Sequence, residues 1–279
     1  MTSLYTDTLV ISGGSTSGFS MLGRLYLLEV RNEIDFSRLI TFAGTSVGAI
    51  ISLLLFIGYR PVEIAYHLHN CDILDKFVQI SPRRFLNGQG CFSVEIIRKE
   101  LEVMVIKKLG YLPTLGQLKD MNPEKNLLCV SFNLDTYDIV YLTALEYPDL
   151  DCIQAVLMSA SIPIIFEPCV YQGTRYIDGG IMDNCPVLET IKRFHPNNII
   201  VLRCIKKYND SRDNSIWSMR DILSILFAAS NYTMKSHISE AEKVANIKFV
   251  DVTSSIPFYD LRISKEMITN LFLHGFFDN

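Results

Sequence analysis

The chain has one tryptophan and five histidines in 279 residues, and little charge of either sign. Lys and Arg number 26 against 30 Asp and Glu, a net charge of −4. Without a basic excess, a nucleic-acid binder gripping phosphates over a broad face is not expected. Seven cysteines are present, but none pairs as CxxC and no two lie closer than sixteen positions. That spacing excludes zinc knuckles and a disulfide framework, and it reads as free, mostly buried thiols in a reducing compartment. His67 and His69 are two apart and cannot share a helix face, so no metal site is expected. Repeats, low-complexity tracts and linkers are missing. The first ten residues contain Asp7 and no Lys or Arg. A secretory leader starts with basic residues, so a cytoplasmic protein with transient membrane-surface contact is expected.

Apolar residues make up 49% of the chain. This is ample for a core, and a single domain over residues 1–279 is the simplest organisation. Residues 39–59 carry no charge and are long enough to cross a bilayer. Glycine at position 44 divides them into a short buried strand (39–43) and a buried helix (47–57), so a strand–turn–helix is expected and a membrane span is not. Strands are read at 8–12, 127–133, 139–143, 199–203 and 247–252. Helices are read at 19–31, 61–70, 93–109, 150–161, 216–245 (one or two) and 264–276. Residues 77–90 read as a surface excursion. Alternating strands and helices imply an α/β fold, a mainly parallel sheet covered on both faces.

Three motifs carry chemistry. Gly44-Thr45-Ser46-Val47-Gly48 is a G-x-S-x-G sequence between an apolar strand and an apolar helix, the setting of a nucleophile elbow. Its helix N-terminus would lie under the Ser46 hydroxyl and favour negative charge there. Ser12-Gly13-Gly14-Ser15-Thr16-Ser17-Gly18 follows the first strand and opens the first helix. It lacks the spacing of a P-loop or of a dinucleotide fingerprint, and it suits a nest of backbone N–H groups for an oxyanion. Asp178-Gly179-Gly180 places a carboxylate at a strand end before a sharp turn, with Asp183-Asn184-Cys185-Pro186 just beyond.

In this order and spacing, with the segment Gln154–Pro163 ahead of the Asp-Gly-Gly, the chain resembles the patatin-like phospholipase family from about Thr8 to Arg203. The resemblance implies a three-layer α/β/α sandwich. It implies Ser46 as nucleophile and Asp178 as general base of a Ser–Asp dyad, with Gly13, Gly14 and Ser15 forming the oxyanion hole. Gly44, Gly48, Gly179 and Gly180 would support these motifs. It further implies acyl esters of lipids as substrates, with no cofactor or metal. The chain departs from the family at Ser17, where a basic residue is usual, and at Ser15, where glycine is usual. Weaker activity or a lipid-binding module without turnover is therefore the alternative, and an apolar stripe over 216–227 could meet a lipid surface. Arg24 would replace the missing charge only if the first helix turned it inward. An α/β-hydrolase triad would need a late histidine, His274 first, then His237 or His195. Against that reading, only one clear strand precedes the elbow strand.

Overall fold

The computed structural model describes residues 6–71, 73–77, 83, 84, 87, 90–206, 219–254, 261 and 263–277. Eight strands of the described residues form one sheet: β1 Thr8–Ile11, β2 Thr41–Thr45, β3 Asn126–Asn133, β4 Ile139–Leu142, β5 Cys169–Tyr171, β6 Thr174–Asp178, β7 Asn198–Lys206 and β8 Asn246–Ser254. Their order is β5-β6-β3-β2-β1-β7-β8, with β4 also on β3. From β3 to β8 the pairing is parallel; β4, β5 and β6 join antiparallel. The sheet is thus mixed, with a parallel block carrying the first two motifs.

Successive strand residues point to opposite faces, and each face is covered. Leu9, Ile11, Phe42, Leu127, Cys129, Ile200 and Leu202 pack under α1 (Gly18–Val30), α2 (Val47–Phe56), α3 (Pro61–Asn70), α4 (Glu95–Leu109), α5 (Leu115–Met121) and α6 (Cys152–Ala160). Val10, Ala43, Leu128, Val130, Ile199 and Val201 pack under α7 (Val187–Phe194) and α8 (Met219–Ala241). The result is the expected three-layer sandwich.

The last described helix, α9 (Lys265–Phe277), lies on α1. A Cβ on Gly23 would stand 2.0 Å from the Phe272 carbonyl oxygen, and one on Gly275 would stand 1.8 Å from that of Ser20. The two backbones touch because both positions are glycine. Tyr26 packs beside Phe272 and Phe276, with ring centroids 6.0 and 5.5 Å away.

Residues 39–59 form the strand–turn–helix expected of them. No single helix among the described residues is long and apolar enough to cross a membrane; α2 and α3 reach that length only as a pair bent by 118°. The surface excursion read over 77–90 is corrected at its ends: Phe77 and Gly90 are buried. Phe77 packs edge-on against Phe92 and Phe166, and most of the intervening segment lies outside the described residues. The long helical stretch is one helix over its described part. Residues 216–218 and most side chains of the apolar stripe also lie outside them, while Ile225 of that stripe is exposed.

Candidate active site

The elbow is built by close approach. A Cβ on Gly44 would lie 2.4 Å from the Gly48 carbonyl, and one on Gly48 would lie 2.4 Å from that of Ile11. Only glycine lets β2, α2 and β1 meet here. Between them Ser46 takes φ 57° and ψ −128°. This conformation is costly for a residue with a Cβ and persists where the surroundings over-determine it. The surroundings are specific: the Ser46 N–H donates to Ser159 Oγ at 3.0 Å, and Thr45 Oγ1 donates to the Asp183 carbonyl at 2.9 Å. Ser46 caps α2, whose first-turn N–H groups have no acceptor within the helix.

Register brings Asp178 to Ser46. β4 pairs with Cys129–Phe132 of β3, overlapping both the β2 pairing, which ends at Thr45↔Val130, and the β6 pairing, which starts at Asp178↔Ser131. β2 and β6 therefore share the other edge of β3 and meet end to end. Asp178 has no exposed surface. Its Oδ1 accepts from the Gly180 N–H at 2.7 Å, while Oδ2 has no hydrogen-bond partner. Burial pushes its pKa up to about 7; the neighbouring Ser46 hydroxyl and the Gly180 N–H pull the other way. The Ser46 hydroxyl is thus close enough to favour the carboxylate, short of a formed hydrogen bond. Gly179 sits against β3, where a Cβ would meet the Val130 carbonyl at 2.5 Å.

The Ser12–Gly18 loop lies beside the elbow. A Cβ on Gly13 would come within 3.3 Å of Ser46 Cβ and 2.3 Å of Asn184 Oδ1. The Gly13 N–H is engaged, donating to the Asn184 carbonyl at 3.0 Å. The N–H groups of Gly14 and Ser15 have no acceptor among the described residues. Ser15 takes φ 52° and lines the same cavity as Ser46. That cavity, of about 150 Å³, is walled by apolar side chains including Phe19, Ile50, Ile97, Leu101 and Phe166.

Ser17 is 1% exposed and donates to Ser254 Oγ at 2.7 Å. It ties the loop to the end of β8 where the usual family residue carries charge. Arg24 does not replace that charge, because it lines a different cleft along β8 together with His274. His237 faces Asp183 with Nδ1 3.9 Å from Oδ1, and His195 ends α7. No histidine lines the Ser46 cavity among the described residues.

Residues 9–191 match the profile of the family described as patatin-like phospholipase. The chain belongs to the patatin-like phospholipase family. It is similar to the probable lipid hydrolase 463L of Invertebrate iridescent virus 6, at 34% identity over 90% of this chain and 79% of that protein. It is also similar to the uncharacterized protein R571 of Acanthamoeba polyphaga mimivirus, at 32% identity over 64% of this chain and 59% of that one. The crystal structure of VipD from Legionella pneumophila superposes with a TM-score of 0.49 at 19% identity, over 97% of this chain and 67% of that one.

Sequence reasoning missed Ser159, whose hydroxyl holds the elbow, and Asn184, which holds the loop. Both fall inside segments that carried the family resemblance: Ser159 lies within Gln154–Pro163, and Asn184 within Asp183-Asn184-Cys185-Pro186, which resembles the family's Asn-x-Pro but gave no hint of the contact with Gly13.

Proposed function

We propose that this chain is a lipid acyl hydrolase that cleaves carboxylic esters through an acyl-enzyme on Ser46, with Asp178 as general base. The observation that carries this reading is a strained, cavity-lining Ser46 beside a wholly buried carboxylate with one free oxygen. A serine hydroxyl is a weak nucleophile until a base takes its proton. A carboxylate at its ordinary pKa is a weak base, and burial strengthens it toward the working pH.

Asp178 takes the Ser46 proton as Oγ attacks the acyl carbonyl. The oxyanion finds the N–H groups of Ser15 and Gly14 and the first turn of α2. Collapse releases the alcohol, which takes the proton from Asp178. Water then attacks the acyl-enzyme with Asp178 again as base, and the fatty acid leaves. The apolar cavity suits the acyl chain. Gly13, with its N–H engaged, acts by leaving room between Ser46 and Asn184. Family membership and the name of the iridescent-virus relative support lipid esters as the substrate class.

A second reading, lipid binding without turnover, draws on the uncharged Ser17. Hydrolysis of a short-chain ester and of phospholipid vesicles by wild type, Ser46→Ala, Asp178→Asn and His274→Ala separates the two. Loss in the first two variants alone supports the dyad. Equal rates for wild type and Ser46→Ala on every ester leave lipid binding.

A further inference from the structure

A second cavity, of about 470 Å³, opens at the far end of the sheet. Asn126 in its wall pairs with Thr41, the first residue of β2, whereas Ser46 follows the last. Phe56, also in the wall, ends the helix that Ser46 caps. At 1.5 Å per residue the length of α2 sets the two cavities about 15 Å apart.

The wall is apolar along Phe56, Leu118, Leu127, Leu145 and Phe194. Leu145 is 87% exposed, leaving an apolar side chain in water at the rim. Two ammonium groups stand in the same wall. Lys119 Nζ donates to the Lys125 carbonyl at 3.1 Å and to Asn126 Oδ1 at 2.9 Å, both neutral acceptors. Lys125 Nζ lies 5.7 and 6.0 Å from the ring centroids of Phe42 and Phe56. Among the described residues neither lysine has an ion-pair partner, and the one carboxylate in the wall, Asp120, pairs with neither.

Partly buried positive charge without a counter-charge, at an apolar trough, is complementary to an anion that carries a hydrocarbon tail. We propose that this cleft binds a single-chain amphipathic anion, an alkyl carboxylate or alkyl phosphate. The head group sits between Lys119 and Lys125, and the tail runs along Phe56, Leu118 and Leu145. At roughly 30 Å³ per water-sized group, the volume accommodates a chain of medium length. The site is independent of the reaction proposed at Ser46, although a fatty acid is what that reaction would release.

The test is calorimetric titration of the full chain with four ten-carbon probes: decanoate, decyl phosphate, decanol and decyltrimethylammonium. Binding of decanoate or decyl phosphate, or both, with decanol and the cation at least about tenfold weaker, is expected; the tighter of the two anions names the head group. Lys125→Gln should weaken the anions about tenfold and leave decanol unchanged, since one charge-assisted hydrogen bond is worth about that much. Leu145→Asp, at an exposed position, should weaken the anions and strengthen the cation. Anion affinity that is equal in wild type, Lys125→Gln and Leu145→Asp overturns the proposal. It is also overturned if the anions do not bind, or if their binding responds to Ile97→Trp in the Ser46 cavity and to neither cleft variant.

Discussion

Thr45 and Asp178 face consecutive residues of one strand: Thr45 stands opposite Val130, and Asp178 opposite Ser131. One strand arrives parallel to β3 and the other antiparallel, so both chains turn away from the sheet at the same point. The serine that follows Thr45 and the carboxylate of Asp178 are held by the central sheet rather than by loops. A site anchored this way keeps its geometry without a bound substrate.

Ser46→Ala and Asp178→Asn should each lower ester hydrolysis by about a thousandfold or more, and the double variant should lose little beyond the worse single one. Groups that act as one unit are non-additive in this way. Steady-state rates on a soluble ester check it. A double variant whose losses multiply would separate the two residues.

Because burial raises the Asp178 pKa to about 7, activity should climb through that pH. At pH 5 the rate should be about a hundredfold below its plateau, two units under the base's pKa. The same group affects stability. An acid whose folded pKa lies above the ordinary 3.8 stabilises the fold below that value, and the contribution is lost as pH passes 7. Asp178→Asn should therefore gain stability relative to wild type at pH 8, on the order of 2–4 kcal/mol, and little at pH 3.5. Urea unfolding at both values reads the difference.

Restoring a basic residue in the loop should harm the protein. Ser17 is buried against Ser254, so Ser17→Arg would force an unpaired charge and excess volume into that space. A loss of about 3 kcal/mol or more is expected, against about 1 kcal/mol for Ser17→Ala. Activity rising in a well-folded Ser17→Arg would mean that the loop has room for the charge.

Gly48→Ala should cost about 3 kcal/mol or more, since its Cβ would press on the Ile11 and Ser12 carbonyls at 2.4 and 2.6 Å. Gly110→Ala is the control. It has nothing within 4 Å but a φ of +84°, and should cost only about 1–2 kcal/mol. Thermal unfolding of the two variants should rank them in that order.

His237→Gln should lower the melting temperature more at pH 6 than at pH 8. The Asp183 carboxylate raises the His237 pKa above its ordinary value, against burial, which lowers it. The contact thus contributes below pH 6.5 and fades as pH rises through the folded value. His237 is partly exposed, so the shift should be about 1–3 °C. Lys192 and Glu240 also act on the imidazole, and Tyr141 donates to Asp183 Oδ2 at 3.0 Å. A pH-independent shift would assign His237 to packing alone.

Much of the site was legible because glycine encodes backbone geometry locally. Gly44 and Gly48 mark an elbow that no other residue permits, and α3 runs from Pro61 to Asn70 as its first-turn proline and apolar spacing require. Partners distant in sequence were not legible. Ser159 reaches Ser46 across 113 positions and Ser254 reaches Ser17 across 237, and no local pattern specifies either. The short helices α5 and α7 escaped notice because seven or eight residues hold too few turns to show a period. A strand end at Asp178 was expected and β6 ends there, but the antiparallel pairing of β5 and β6 depends on sheet order, which strand patterns alone leave open.

The backbone contact of α1 with α9 bears on how the protein is made. The helix that follows the Ser12–Gly18 loop finds its partner far along the chain in α9, where Gly23 meets the backbone of Phe272 and Gly275 that of Ser20. A nascent chain halted at Arg203 already contains Ser46, Asp178 and every family motif, yet its α1, packed on α2 and α3, lacks the cover of α9. The loop that opens α1 thus leans on segments translated after every family motif: Ser254 holds Ser17, and α9 backs the helix that follows.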